Sequence, residues 1–215
     1  MLDFADGRTT GGGQVGAPCG CIGCFDSFDN IQGNWVHQRH GHRGRFKAKD
    51  FNSLRCGCEA CGEDNVSNVK KLDGNLCNDN SRVCGPTPPN APANLACFSG
   101  TGTWSPTSGS KDRVEVAFRV EVEDHSEPGV NDEYRIWIYI PASGETIKSL
   151  AVDICCQNAP SDNSDRSGDQ FGAGRAADVF DGGVITHGNL QIHPQIASHI
   201  GQCPVPNGMC PASLP

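Results

Sequence analysis

Apolar and polar residues alternate most strictly in "RVEVAFRVEVED", residues 113–124. Val114, Val116, Phe118, Val120 and Val122 fall on one parity, and Arg113, Glu115, Arg119, Glu121 and Glu123 on the other. A period of two predicts a half-buried strand, one face on a core and the other in water. "YRIWIYI" repeats the pattern with Tyr134, Ile136, Ile138 and Ile140, and the Glu-Pro-Gly of the intervening "HSEPGVND" supplies hairpin turn chemistry. "FDSFDNIQGNWVHQR", "RFKAKDFNSLRC", "LACFSGTGTW" and "GGVITHGNLQIH" read as further strands, while "IKSLAVDICC" suits a short strand or a helical turn. No segment carries the apolar stripe of a long capped helix. These patterns predict an all-β protein: an antiparallel two-sheet β-sandwich, jelly-roll-like or Ig-like, with long irregular loops.

The pattern fails in two places. Residues 1–18 are rich in Gly and Thr with little to bury, and read as a flexible arm. Residues 19–215 then form a single sandwich domain, interrupted at about 56–96 by a Cys/Pro-rich insertion with four prolines between Pro86 and Pro92. An irregular stretch of that length needs staples. Cys58, Cys61, Cys77 and Cys84 lie within it.

Composition gives the staples a compartment. The 215 residues hold 13 cysteines, including "CGCIGC" (Cys19, Cys21, Cys24), "CGCEAC" (Cys56, Cys58, Cys61) and the neighbours Cys155 and Cys156. That density predicts a disulfide-rich chain of the cell exterior or envelope, with disulfides favoured over thiolate–metal sites. An odd count leaves one cysteine for a metal, a free thiol or a second chain, so a homo-oligomer linked through it is one expectation. A net charge of −8 argues against a nucleic-acid partner. No window approaches the apolar length of a membrane span, and "MLDFADGRTTGGGQ" lacks the basic and apolar regions of a signal peptide.

Candidate chemistry begins with histidine. Six of the seven histidines sit in "HQRHGH" (His37, His40, His42) and in the region of His187, His193 and His199. On a strand His40 and His42 share a face and can converge on one ion, whereas His37 has the opposite parity unless a glycine bulge intervenes. His187 and His193 share parity but stand roughly 20 Å apart on a straight strand, so only one could join them. Such a set suits Zn or Cu with an open position, as in an extracellular metalloenzyme; the competing reading is solvent-facing histidines beside Arg39, Arg43 and Arg45. In the acidic loop "EVEDHSEPGVNDEY", Asp124 and Asp132 are the best candidates for structural Ca²⁺, against a merely solvated loop. Trp35, Trp104 and Trp137 form a sugar-stacking platform only if exposed. No motif for an organic cofactor is present: no Walker sequence, dinucleotide fingerprint or G-x-S-x-G elbow.

Taken together, "CFSGTGTW", "VAFRVEVEDHSEPG", "DEYRIWIY" and "DGGVITHGNLQIHP" resemble a β-sandwich module of secreted bacterial multidomain proteins, the post-choice-of-anchor type. The matching positions are Gly100, Gly102, Phe118, Asp124, Tyr134, Arg135, Ile136, Gly182, Gly183, Ile192 and His193, within about residues 95–195. The resemblance implies the sandwich fold and carries no activity. The expectation is therefore a secreted, disulfide-stapled binding or structural module, with a polysaccharide or a cell-surface component as partner. The alternatives are the Zn or Cu enzyme and a self-assembling surface or matrix protein.

Overall fold

Within the described residues, the segments with a two-residue period form strands, while residues 188–193 of "GGVITHGNLQIH" and most of "IKSLAVDICC" lie outside them. The computed structural model describes residues 2–4, 9–16, 24–26, 31–39, 44–57, 95–106, 111–125, 131–147 and 177–187. In chain order the strands are β1 (Leu2–Phe4), β2 (Thr9–Gly16), β3 (Cys24–Asp26), β4 (Gln32–Arg39), β5 (Gly44–Gly57), β6 (Leu95–Ser105), β7 (Val114–Glu123), β8 (Glu133–Tyr139) and β9 (Val179–His187). All pairings are antiparallel.

The seven longer strands follow the order β2-β4-β5-β6-β7-β8-β9 and curl into a half-barrel. The short β1 pairs β2 on one side and β9 on the other, and β3 pairs β5 beyond the end of β4. Where the alternation predicts two facing sheets, the described strands form one continuous ladder. Its curl lets one face enclose its own core.

That concave face holds Trp35, Phe46, Phe98, Phe118, Val120, Tyr134, Ile136 and Ile138. Phe118 is the hub, with ring centroids 4.8 Å from Phe46, 5.8 Å from Phe51 and 6.4 Å from Phe98. The rings fit because β6 offers glycine beneath them. A Cβ on Gly102 would lie 2.5 Å from the Phe46 ring.

Two segments differ from their sequence pattern. Residues 9–16, which read as arm, form β2 and pair β4 over eight positions. Backbone hydrogen bonds need no apolar side chain, and close packing favours glycine: a Cβ on Gly13 would fall 1.9 Å from the Asn34 carbonyl oxygen. The second difference is β7, whose residues 116–122 are buried on both parities. On the convex face a row of opposed residues crosses four strands, Ser99, Arg119, Trp137 and Phe180. Arg119 and Trp137 are both fully buried.

Two hydrogen bonds join the end of β8 to the start of β9. The Asp178 N–H donates to the Ile138 carbonyl (2.9 Å), and the Ile140 N–H donates to Asp178 Oδ2 (2.6 Å).

Candidate functional site

The concave face carries one polar chain among its aromatic residues. It draws on β4 (Trp35, His37, Arg39), β8 (Tyr134) and β9 (Asp181). Alternation puts residues 35, 37 and 39 on a common face of β4, and His37 stands opposite Gly11 of β2 and Phe46 of β5.

Trp35 Nε1–H donates to Tyr134 Oη at 3.2 Å. Tyr134 Oη lies 3.2 Å from His37 Nδ1, and His37 Nε2 lies 3.2 Å from Asp181 Oδ2. Arg39 Nε meets the same Oδ2 at 2.8 Å, and the Gly182 N–H donates to Asp181 Oδ1 at 2.9 Å. Matching donors to acceptors assigns the protons. An ionised Asp181 only accepts, so Nε2 carries the imidazole hydrogen, and Nδ1 accepts the Tyr134 hydroxyl proton. A neutral His37 thus completes the chain.

The electrostatics agree with that assignment. Burial, and secondarily the charge of Asp181, hold the Tyr134 phenol far above its ordinary range, with the Trp35 N–H offsetting a part. Tyr134 stays a donor. Burial alone would raise the Asp181 carboxyl, but the hydrogen bond from His37, the positive charge of Arg39 and the Gly182 N–H together bring it below its ordinary value. The Tyr134 and His37 end is fully buried, whereas the Asp181 side chain is 14 % and the Arg39 side chain 28 % exposed. The chain runs from the core to the rim.

β9 supplies Asp181 through an unusual backbone. Gly182 and Gly183 have φ of 128° and 140°, a region L side chains rarely adopt. A Cβ on Gly182 would also lie 2.1 Å from the Tyr134 carbonyl oxygen. "DGG" thereby lets β9 approach β8 closely enough for Asp181 to reach His37.

The sequence-derived candidates fall as follows. His37 has both ring nitrogens engaged, by Tyr134 and Asp181. His40, His42 and His193 lie outside the described residues, and His187 is placed by its backbone alone, opposite Asp3. Asp124 and Asp132 are both buried. Asp132 ties the hairpin together: Oδ1 accepts the His125 backbone N–H (3.0 Å), and its carbonyl accepts the Ile185 N–H (2.8 Å). Among the described residues no three His, Cys, Asp or Glu side chains converge as a metal would require.

Trp35, Trp104 and Trp137 are 4 %, 6 % and 0 % exposed, so the stacking platform expected of them does not form. Their rings complete apolar contacts instead. Trp35 packs edge-on to Phe98 (5.1 Å), and Trp137 lies against Phe180 (5.3 Å) with Arg119 over its ring.

Sequence reasoning missed Tyr134, Asp181 and Arg39 as a group. His37 and Asp181 are 144 residues apart, and only the glycine pair after Asp181 hints at a constrained position. No family model matches the chain, and no curated protein or solved structure matches it either.

Proposed function

We propose that this chain is an extracellular binding or structural module, the curled sheet being one layer of a disulfide-stapled β-sandwich of the post-choice-of-anchor kind. The observation that carries the reading is the closed hydrogen-bond chain. His37, Tyr134 and Asp181, the residues best suited to acid–base chemistry, direct their polar atoms at one another and pin β4, β8 and β9 together. A catalytic triad would present one of those atoms to a substrate; here the chain is part of the frame.

Two further features support the layered, oxidised form. A strand buried on both faces, as β7 is, has material packed on each side. The cysteine content suits an oxidising compartment, and among the described residues no cysteine is free. The Zn or Cu reading rests on His40 and His42, and needs a third ligand other than the doubly engaged His37.

The test is the mass of the unreduced, denatured chain beside that of its native form. Six disulfides lower the mass by about 12 Da from the reduced formula, leaving one cysteine, and reductant then lowers the unfolding temperature. An unreduced mass equal to the reduced formula would overturn the stapled reading. A native mass increased by one Zn or Cu and lost on denaturation would favour the metalloenzyme instead.

A further inference from the structure

We propose that the outward row of β5 binds an anionic polysaccharide, a polyuronate or its like, carrying a negative charge on its repeating sugars. The proposal rests on the binding-module reading and names its ligand class. Arg45, Lys47 and Lys49 occupy alternate positions of one strand and are all exposed. At a rise of about 3.3–3.4 Å per residue, the Arg45 and Lys47 Cα atoms stand roughly 6.7 Å apart. Lys49 sits where the register with β6 shifts between Ala48 and Asp50, so it is the extra residue of a bulge.

Arg45 and Lys47 have uncharged partners across the sheet, whereas Lys49 has the exposed Asp50 beside it on the strand and Glu115 at 3.7 Å. Arg45 lies opposite Gln38 and Ser105, and Lys47 opposite Val36 and Thr103. The flanking hydroxyls and the amide suit sugar hydroxyls, while the cations suit carboxylates through charge-assisted hydrogen bonds.

A second observation separates this row from Arg39, Arg119 and Arg135, the other strand cations whose side chains are described. Arg39 is paired with Asp181, Arg119 with Glu121, and Arg135 with Glu123 and Glu133. Lys49 has a loose, exposed contact with Glu115 at 3.7 Å, and among the described residues Arg45 and Lys47 have no ion-pair partner. In a chain with 25 acidic against 17 basic residues, two cations without an ion-pair partner, followed by the loosely held Lys49, mark a surface suited to an acidic partner.

Charge density selects among polyanions. Duplex nucleic acid carries a charge about every 1.7 Å, which a chain of net charge −8 repels. A polyuronate, with one carboxylate on each sugar, offers the same attraction at a lower density. Single exposed ion contacts are weak, so binding depends on several acting along one polymer and falls steeply with salt.

The experiment is retention of the full chain on immobilised polygalacturonate, with neutral dextran and duplex DNA as comparison matrices, at low and at physiological salt. Wild type is expected to be retained on polygalacturonate and not on dextran. The Arg45→Gln, Lys47→Gln, Lys49→Gln triple variant is expected to bind roughly tenfold more weakly. All three side chains point into solvent, so the fold survives. Lys111→Gln removes one exposed cation off the row and is expected to leave retention unchanged, whereas Lys47→Gln weakens it.

Failure of wild type to be retained, equal losses for Lys111→Gln and Lys47→Gln, or stronger binding to DNA would each overturn the proposal. Disulfides in the mass spectrum with no retention would remove the ligand and leave the module reading intact. Retention by a fully reduced chain would keep the ligand and remove the stapled reading.

Discussion

The two faces of the half-barrel each bury polar groups, by opposite means. On the concave face one charge pair stands at the rim, and everything deeper is neutral: the Asp181 carboxylate meets Arg39 near solvent, then His37, Tyr134 and Trp35 continue inward as donors and acceptors. On the convex face two full charges lie deep. Arg119 and Glu121 form an ion pair with side chains 0 % and 4 % exposed, and the Arg119 guanidinium lies 5.6 Å from the centre of the Trp137 ring. Burying neutral groups costs little once each is hydrogen-bonded, whereas burying charges carries a desolvation penalty that the pair only repays together. The concave chain therefore tolerates damage in steps. The convex pair does not.

The comparison is broken most easily at Arg119. Arg119→Ala removes the ion-pair partner of the Glu121 carboxylate in a covered site and is expected to destabilise the fold by about 3–5 kcal/mol in urea unfolding. The Arg119→Met, Glu121→Leu double variant is expected to recover most of that loss, since the pair is then replaced by apolar bulk. A double variant as unstable as the single would mean that the charges themselves hold the convex layer.

Next in size is His37→Ala, which deprives Tyr134 of its acceptor and Asp181 of its inner donor. The expected cost is about 2–3 kcal/mol. Tyr134→Phe leaves the Trp35 N–H and His37 Nδ1 unmatched and is expected to cost about 1–2 kcal/mol. If either exceeds Arg119→Ala, the two faces are not ordered as their charges imply.

The smallest effect is in acid. Because the folded Asp181 carboxyl lies below its ordinary value, it contributes stability in full above the unfolded value of about 3.9. That contribution fades as pH falls through the folded value. Asp181→Asn is expected to flatten that part of the stability–pH curve while leaving the neutral-pH slope alone. Unchanged acid sensitivity in Asp181→Asn would place the titrating group elsewhere.

How much was legible follows from where the information lies. β4 to β9 were readable as strands because a period of two is a local property: "VEVAFRVEV" needs no partner to show its alternation. β2 was not, because "TTGGGQVG" has no apolar rhythm, and its place depends on the Asn34 carbonyl that Gly13 approaches. The burial of Arg119 was equally hidden. An Arg–Glu alternation reads as a wet face until a covering layer takes it out of water. His37 was picked out as a candidate, but for a metal; its actual partners, Tyr134 and Asp181, lie on β8 and β9, which pair with each other far along the chain.

By itself, then, the sequence determined the all-β class, the strand character of β4 to β9 and the turn chemistry between β7 and β8, since backbone preference and side-chain alternation act over a few residues. Tertiary structure alone decided the curl of the sheet, the inward turn of all three tryptophans and the meeting of His37, Tyr134 and Asp181. Those outcomes depend on which strands become neighbours and on how closely glycine lets them approach, and no single segment contains that geometry.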